Sequence, residues 1–167
     1  IKVEYGPNGD PSRTLPFVSG NSSSYYTQQN RGKRSVCIDL SSDRGCALAR
    51  DMAVRCDVVV ENFGPGVLDR RGLAWENLSS VNGALIMASI SAFGKTGPLS
   101  HLQGFDLMGQ ALSGMMHVTG DSDGPPQFTG SPIADCAAGI TLFGAIGHAL
   151  FHRERTGEGQ YVEVTLV

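Results

Sequence analysis

The 167-residue sequence predicts an α/β fold, a parallel sheet with flanking helices. Two apolar runs carry that reading, Asp57-Val58-Val59-Val60-Glu61 and residues 84–91. Each is short, continuous and bounded by polar residues, as in strands buried on both faces of a parallel sheet. The order strand, helix, strand, helix, strand around them needs crossover connections, which join parallel neighbours.

Taken in order, residues 1–4 read as a short strand. Residues 5–30 are rich in Gly, Pro, Ser, Asn and Gln and predict a long loop with a helical turn. Residues 35–40 read as a strand and 43–56 as a helix. Ser42 or Asp43 can cap that helix, and Cys46, Ala49, Met52, Ala53 and Cys56 fall on one face at helical spacing. After the strand at 57–61, short helices are expected over 65–71 and 75–81, then the strand at 84–91. Residues 92–104 form a Gly/Pro loop, 105–116 a helix, 119–132 a loop and 135–153 a long apolar helix. Thr156-Gly157-Glu158-Gly159 turns the chain into a last alternating strand. Both ends read as cut within strands.

A net charge of -3 argues against nucleic-acid binding, which asks for a basic stripe. No apolar run approaches the ~20 residues that span a bilayer, because the longest, 134–151, contains Asp135 and His148. It reads as a buried core helix. No membrane role is expected. The four cysteines, Cys37, Cys46, Cys56 and Cys136, match no zinc spacing and read as buried thiols in a reducing compartment. His148 and His152 share a helix face but lack a third ligand, so no metal is expected.

Ligands of open α/β sheets bind beyond the carboxyl ends of the strands. The stretches at those ends are Asn62-Phe63-Gly64-Pro65-Gly66 and residues 89–98. Their free N–H groups could take phosphate oxygens, with Arg70 and Arg71 adding charged contacts. The plainer reading is turn chemistry and solvated arginines. Asp135 precedes or opens the apolar helix, among the small residues Ala134, Cys136, Ala137 and Gly139. It reads either as an N-cap or as a reactive carboxylate with room for a substrate.

Five blocks then carry a resemblance: Asn30-Arg31-Gly32-Lys33-Arg34-Ser35, Val60-Glu61-Asn62-Phe63-Gly64-Pro65-Gly66, Ser89-Ile90-Ser91-Ala92-Phe93-Gly94, Pro132-Ile133-Ala134-Asp135 and Arg155-Thr156-Gly157-Glu158-Gly159-Gln160. In this order and spacing they are similar to the class III CoA-transferases, the CaiB–BaiF group. The resemblance covers the whole chain. It implies that residues 1–167 are part of a Rossmann-like large domain, with a small domain elsewhere, in subunits that pair as interlocked homodimers. It implies Asp135 as the catalytic carboxylate. It implies coenzyme A contacts at Ile38, Asp39, Leu40 and Ser41, at Asn62, Phe63 and Gly64, at Arg70, and at Leu102, Gln103, Gly104 and Phe105. Acyl-CoA and a small carboxylic acid would be substrates, with no permanently bound cofactor, in the cytoplasm or, for a eukaryotic chain, the mitochondrion.

Tyr5, Ser41 and Gln103 stand where formyl-CoA transferases carry arginine, lysine and lysine, which points away from a formyl/oxalyl pair. Three alternatives stay open: an α-methylacyl-CoA racemase, a carnitine- or bile-acid-type CoA-transferase, and an inactive CoA-binding fragment. Racemases of this superfamily place a histidine where this chain has Phe105, and phenylalanine cannot move a proton. Phe105 would pack beside the thioester arm or simply in the core.

Overall fold

A computed structural model describes residues 1–15, 18–19 and 22–167. It is mixed α/β with parallel strand pairs, as the sequence predicts, and divides into two compact units, Ile1–Ala49 and Arg50–Val167.

In the first unit, β1 (Lys2–Glu4) is followed by a single 3-10 turn at Pro11–Thr14, capped by the Asp10 side chain. Next come the two-residue strands β2 (Val18–Ser19) and β3 (Ser22–Ser23), then α1 (Ser24–Asn30), which Ser23 caps through the N–H of Tyr26. The expected long loop is therefore built in large part from regular structure; the part of it at 16–17 and 20–21 lies outside the described residues. Local side-chain caps hold these elements, a signal that hydrophobic periodicity does not carry. β4 (Ser35–Cys37) pairs parallel with β1 and is shorter than expected. Asp39 ends it, accepting from the N–H and the hydroxyl of Ser41 at 2.9 and 2.6 Å. α2 (Asp43–Ala53) follows, its residues up to Ala49 counted in this unit, with Ser42 Oγ accepting from the N–H of Gly45.

Glu4 is the hub of this unit and is 4% exposed. Its carboxylate accepts from Arg13 Nε and Nη2 at 2.8 and 2.9 Å, from the Tyr26 and Ser35 hydroxyls at 2.7 Å each, and from the N–H of Asp10. The Arg13 guanidinium, then the hydroxyls, hold its carboxyl well below the usual range against the cost of burial. Arg13 also lies over the Tyr26 ring, 3.9 Å from its centroid.

In the second unit β5 (Val58–Glu61), α3 (Val67–Arg70) and α4 (Trp75–Ser79) precede β6 (Ile86–Ser91). Then come α5 (Asp106–Leu112), α6 (Ile133–Thr156) and β7 (Tyr161–Thr165). The sheet order is β5-β6-β7, all parallel, with Glu61, Ser89 and Glu163 in register across it. The core is Leu78, Leu85, Ile86, Met87 and Ala88, each 1% exposed or less. Fully burying each of the Leu, Ile and Met side chains contributes about 1.5–3 kcal/mol. β6 is buried as expected. β5 is not buried on both faces: Val60 is 61% exposed, because nothing among the described residues covers the sheet face it points to.

α6 packs on β6, β7 and α5 through a narrow stripe, Ala134, Ala138, Leu142 and Ala149. Arg153 at its far end pairs with Asp57 at 3.2 Å. The expectation of a buried core helix is corrected, since Ile140, Phe143 and Phe151 are 75, 80 and 63% exposed. Small residues give the stripe, so the bulky ones are left on the open side. By length and composition alone this helix could also cross a membrane, which the sequence reading excluded. One such helix, packed on a sheet, is weak support for that. The cysteines are corrected as well: all four are free, but Cys37 and Cys136 are exposed and Cys46 and Cys56 only partly covered. Cys37 and Cys136 sit where a strand end and a helix start leave one side open.

Candidate active site

A cleft of ≈ 370 Å³ opens beyond the carboxyl ends of all three strands of the second unit. Asn62, Phe63 and Gly64 enter it after β5, Ser91 at the end of β6 with Ala92 to Gly94 after it, and Leu166 after β7. Leu102, Gln103, Gly104 and Phe105 line it from the loop before α5, and Asp135 from the first turn of α6. The two loops interlock at Gly64, where a Cβ would run into the Gln103 side chain. Phe105 is 81% exposed, so the plain core-packing reading fails.

Asp135 is not the N-cap of α6. That place is Pro132, which offers no side-chain acceptor. Asp106 does the capping from α5. Its Oδ1 accepts from the N–H groups of Ala134 and Asp135 at 2.8 and 3.2 Å. Its Oδ2 accepts from Gln110 Nε2 at 2.5 Å. Gln110 is fully buried, donates also to Ser131 O at 3.2 Å, and accepts from the N–H of Thr129 at 3.0 Å. Relieved of capping, the Asp135 carboxylate faces the cleft and stays open to solvent. Burial of its inner side, and then the Asp106 charge, push its carboxyl above the ordinary aspartate value. Among the described residues, Asp135 is the sole titratable side chain that lines this cleft.

Close packing sets this arrangement. A Cβ at Gly109 would lie 2.8 Å from Ala134 Cβ and 2.8 Å from Leu166 O, so only glycine lets α5 sit against the start of α6 and the end of β7.

Not every expected residue is drawn in. Arg70 lines neither cleft of this unit; its guanidinium lies beside Gly66, 2.9 Å from where a Cβ would be. Ile38, Asp39, Leu40 and Ser41 belong to the first unit, where Ile38 is 4% exposed and Asp39 and Ser41 bond to each other. His148 is exposed and bonds Gly144 O through Nδ1 at 2.9 Å; among the described residues no three candidate ligands cluster for a metal.

A second cleft of ≈ 300 Å³, with several charged side chains in its lining, adjoins the first along Phe63, Gly64, Pro65 and Ser91. Here Ser89 donates to Glu61, and Ser91 donates to Glu163 at 3.0 Å. The sequence reading gave no role to this row, to Asp106 or to Gln110. The Asp–Gln spacing of four on one helix was the available signal.

The profile described as "CoA-transferase family III" matches residues 1–167. The chain is 42% identical over 167 residues to an acetyl-CoA:oxalate CoA-transferase of Acetobacter aceti, covering 99% of this chain and 43% of that protein. It is 38% identical over 169 residues to a human succinyl-CoA:glutarate CoA-transferase, covering 100% of this chain and 38% of that one. A crystal structure of a CAIB/BAIF family protein from Brucella suis superposes with a TM-score of 0.92 at 41% identity, over 98% of this chain and 44% of that one. The chain thus spans about two fifths of the relatives it matches.

Proposed function

The chain belongs to CoA-transferase family III, and from that premise we propose that the protein moves coenzyme A from an acyl-CoA donor to a small carboxylic acid, with Asp135 as the acylated nucleophile. The observation that carries this reading is one carboxylate, with raised basicity and with no other titratable side chain among the described residues lining its cleft, at the mouth of that cleft beyond the strand ends. A carboxylate oxygen of Asp135 attacks the thioester carbonyl carbon. The C–O bond forms, the C–S bond breaks, and the electron pair leaves on sulfur as CoA thiolate. The thiolate then attacks the Asp135 carbonyl of the mixed anhydride and expels the donor acid, leaving an aspartyl thioester. The acceptor carboxylate attacks that thioester, releasing thiolate again. The thiolate takes the acceptor acyl group and frees Asp135. Each step exchanges one acyl link for another, so no oxidant or nucleotide is consumed.

The residues Asn62 to Gly64 and Leu102 to Phe105 would hold the thioester arm, and Arg70 would meet a phosphate at the outer end. Phe105 beside Asp135 argues against the racemase reading, which needs a second proton-moving group. The relatives named above act on oxalate and glutarate, which makes these acids the natural acceptors to try. The test uses the full-length protein with acetyl-CoA or succinyl-CoA and either acid. A new acyl-CoA that forms only when both substrates are present supports the reading. Rapid α-deuterium incorporation into a chiral 2-methylacyl-CoA in deuterated water, without acceptor, would overturn it in favour of the racemase.

A further inference from the structure

We propose that Asp106, locked by Gln110, is a positioning residue for Asp135, fixing both the place of its carboxylate and the charge it feels. The inference rests on the reading of Asp135 as nucleophile. The geometry divides the Asp106 carboxylate between two tasks. Oδ1 takes the N–H groups of Ala134 and of Asp135 itself, so the backbone of the reacting residue is tied to α5. Oδ2 is held by Gln110 Nε2, and Gln110 is 0% exposed with its remaining bonds to Thr129 and Ser131 fixed in the loop that leads into α6. Nothing in this chain of contacts is free to rotate without leaving a buried polar group unpaired.

The arrangement has a chemical consequence. At a helix start the first N–H groups would favour the ionised form of an aspartate and make it a poorer nucleophile. Asp106 takes those donors for itself and sets a second negative charge behind Asp135. Its counter-effects are few. The strand ends and loops that face Asp135 offer Phe63, Ala92, Gln103, Phe105 and Leu166, none of which titrates. The charged Glu61, Lys95 and Glu163 line the other cleft. Asp106 is the charged side chain that acts on Asp135.

The test is steady-state kinetics of the full-length enzyme with acetyl-CoA and oxalate across pH. Asp106→Ala should lower kcat about ten- to a hundredfold, as small misplacements of reacting groups do, with KM for acyl-CoA little changed. The acid limb of its pH–kcat profile should move to lower pH. Asp106→Asn keeps one acceptor but sets its amide donor against the Gln110 donor, so it should rescue poorly. Asp106→Asn combined with Gln110→Glu restores donor to acceptor between the two side chains and the buried charge, but gives up the donor to Ser131 O, so kcat and the acid limb should return part of the way to the parent. A parental kcat and acid limb in Asp106→Ala, with only a lower Tm, would overturn the proposal and leave a structural cap. If Asp106→Ala does not fold, identical profiles for Asp106→Asn and the double variant overturn it equally. Full activity in Asp135→Asn would sink the nucleophile reading itself, a separate outcome.

Discussion

Asp135 and Glu4 are carboxylates driven in opposite directions by their surroundings. Glu4 gathers a guanidinium, two hydroxyls and an N–H, so its ionised form is strongly favoured in the fold. Its native pKa lies below the unfolded value of about 4.3. Its stabilisation is therefore complete above that pH and is lost as pH falls below it. Glu4→Gln should lower the Tm at pH 7, and the gap to the parent should close toward pH 3; a pH series of thermal melts checks this. For Asp135 the sign reverses. Its pKa is raised, so the fold loses stability as pH climbs from about 3.9 through the native value. Since Asp106 already caps the helix, Asp135→Asn should raise the Tm at neutral pH while kcat falls on the order of 10⁴-fold. Arg70→Ala should raise KM for acyl-CoA about tenfold with kcat unchanged, if that side chain meets a phosphate; kinetics with the parent as control decide it.

At the scale of elements, the strands and the long helix were legible because their apolar runs are continuous and their bounding loops polar. β5 misled, because Val58-Val59-Val60 reads the same whether or not a packed element covers each face of the strand. Asp135 was legible as a candidate through its small neighbours. Its capping by Asp106 was not, since the two lie 29 residues apart and only the fold joins them. The burial of Gln110 was not legible either, since it depends on the loop that folds over it. The α5–α6 contact is the element that holds the site. Gly109→Ala gains up to about 1 kcal/mol of helix propensity. It also drives a methyl against Leu166 O, a backbone atom that cannot step aside. Overpacking of this kind costs about 1–3 kcal/mol, so the clash should win. The expected result is a lower Tm together with a lower kcat.

For the whole molecule, the open side of α6 is the feature that packing leaves unresolved. Ile140, Phe143 and Phe151 together make an exposed apolar face of a kind that soluble chains rarely leave bare. A polypeptide confined to these 167 residues should self-associate and bind a hydrophobic dye, and Phe143→Glu should lessen both; light scattering with dye fluorescence reads the change.

The central claim is that Asp135 becomes covalently acylated. The full-length enzyme is incubated with acyl-CoA alone, trapped with hydroxylamine, digested and examined by mass spectrometry. A hydroxamate on the peptide bearing Asp135, absent in Asp135→Asn, is the predicted result. A turning-over enzyme whose Asp135 peptide stays unmodified, with the label on another residue or on none, would contradict it.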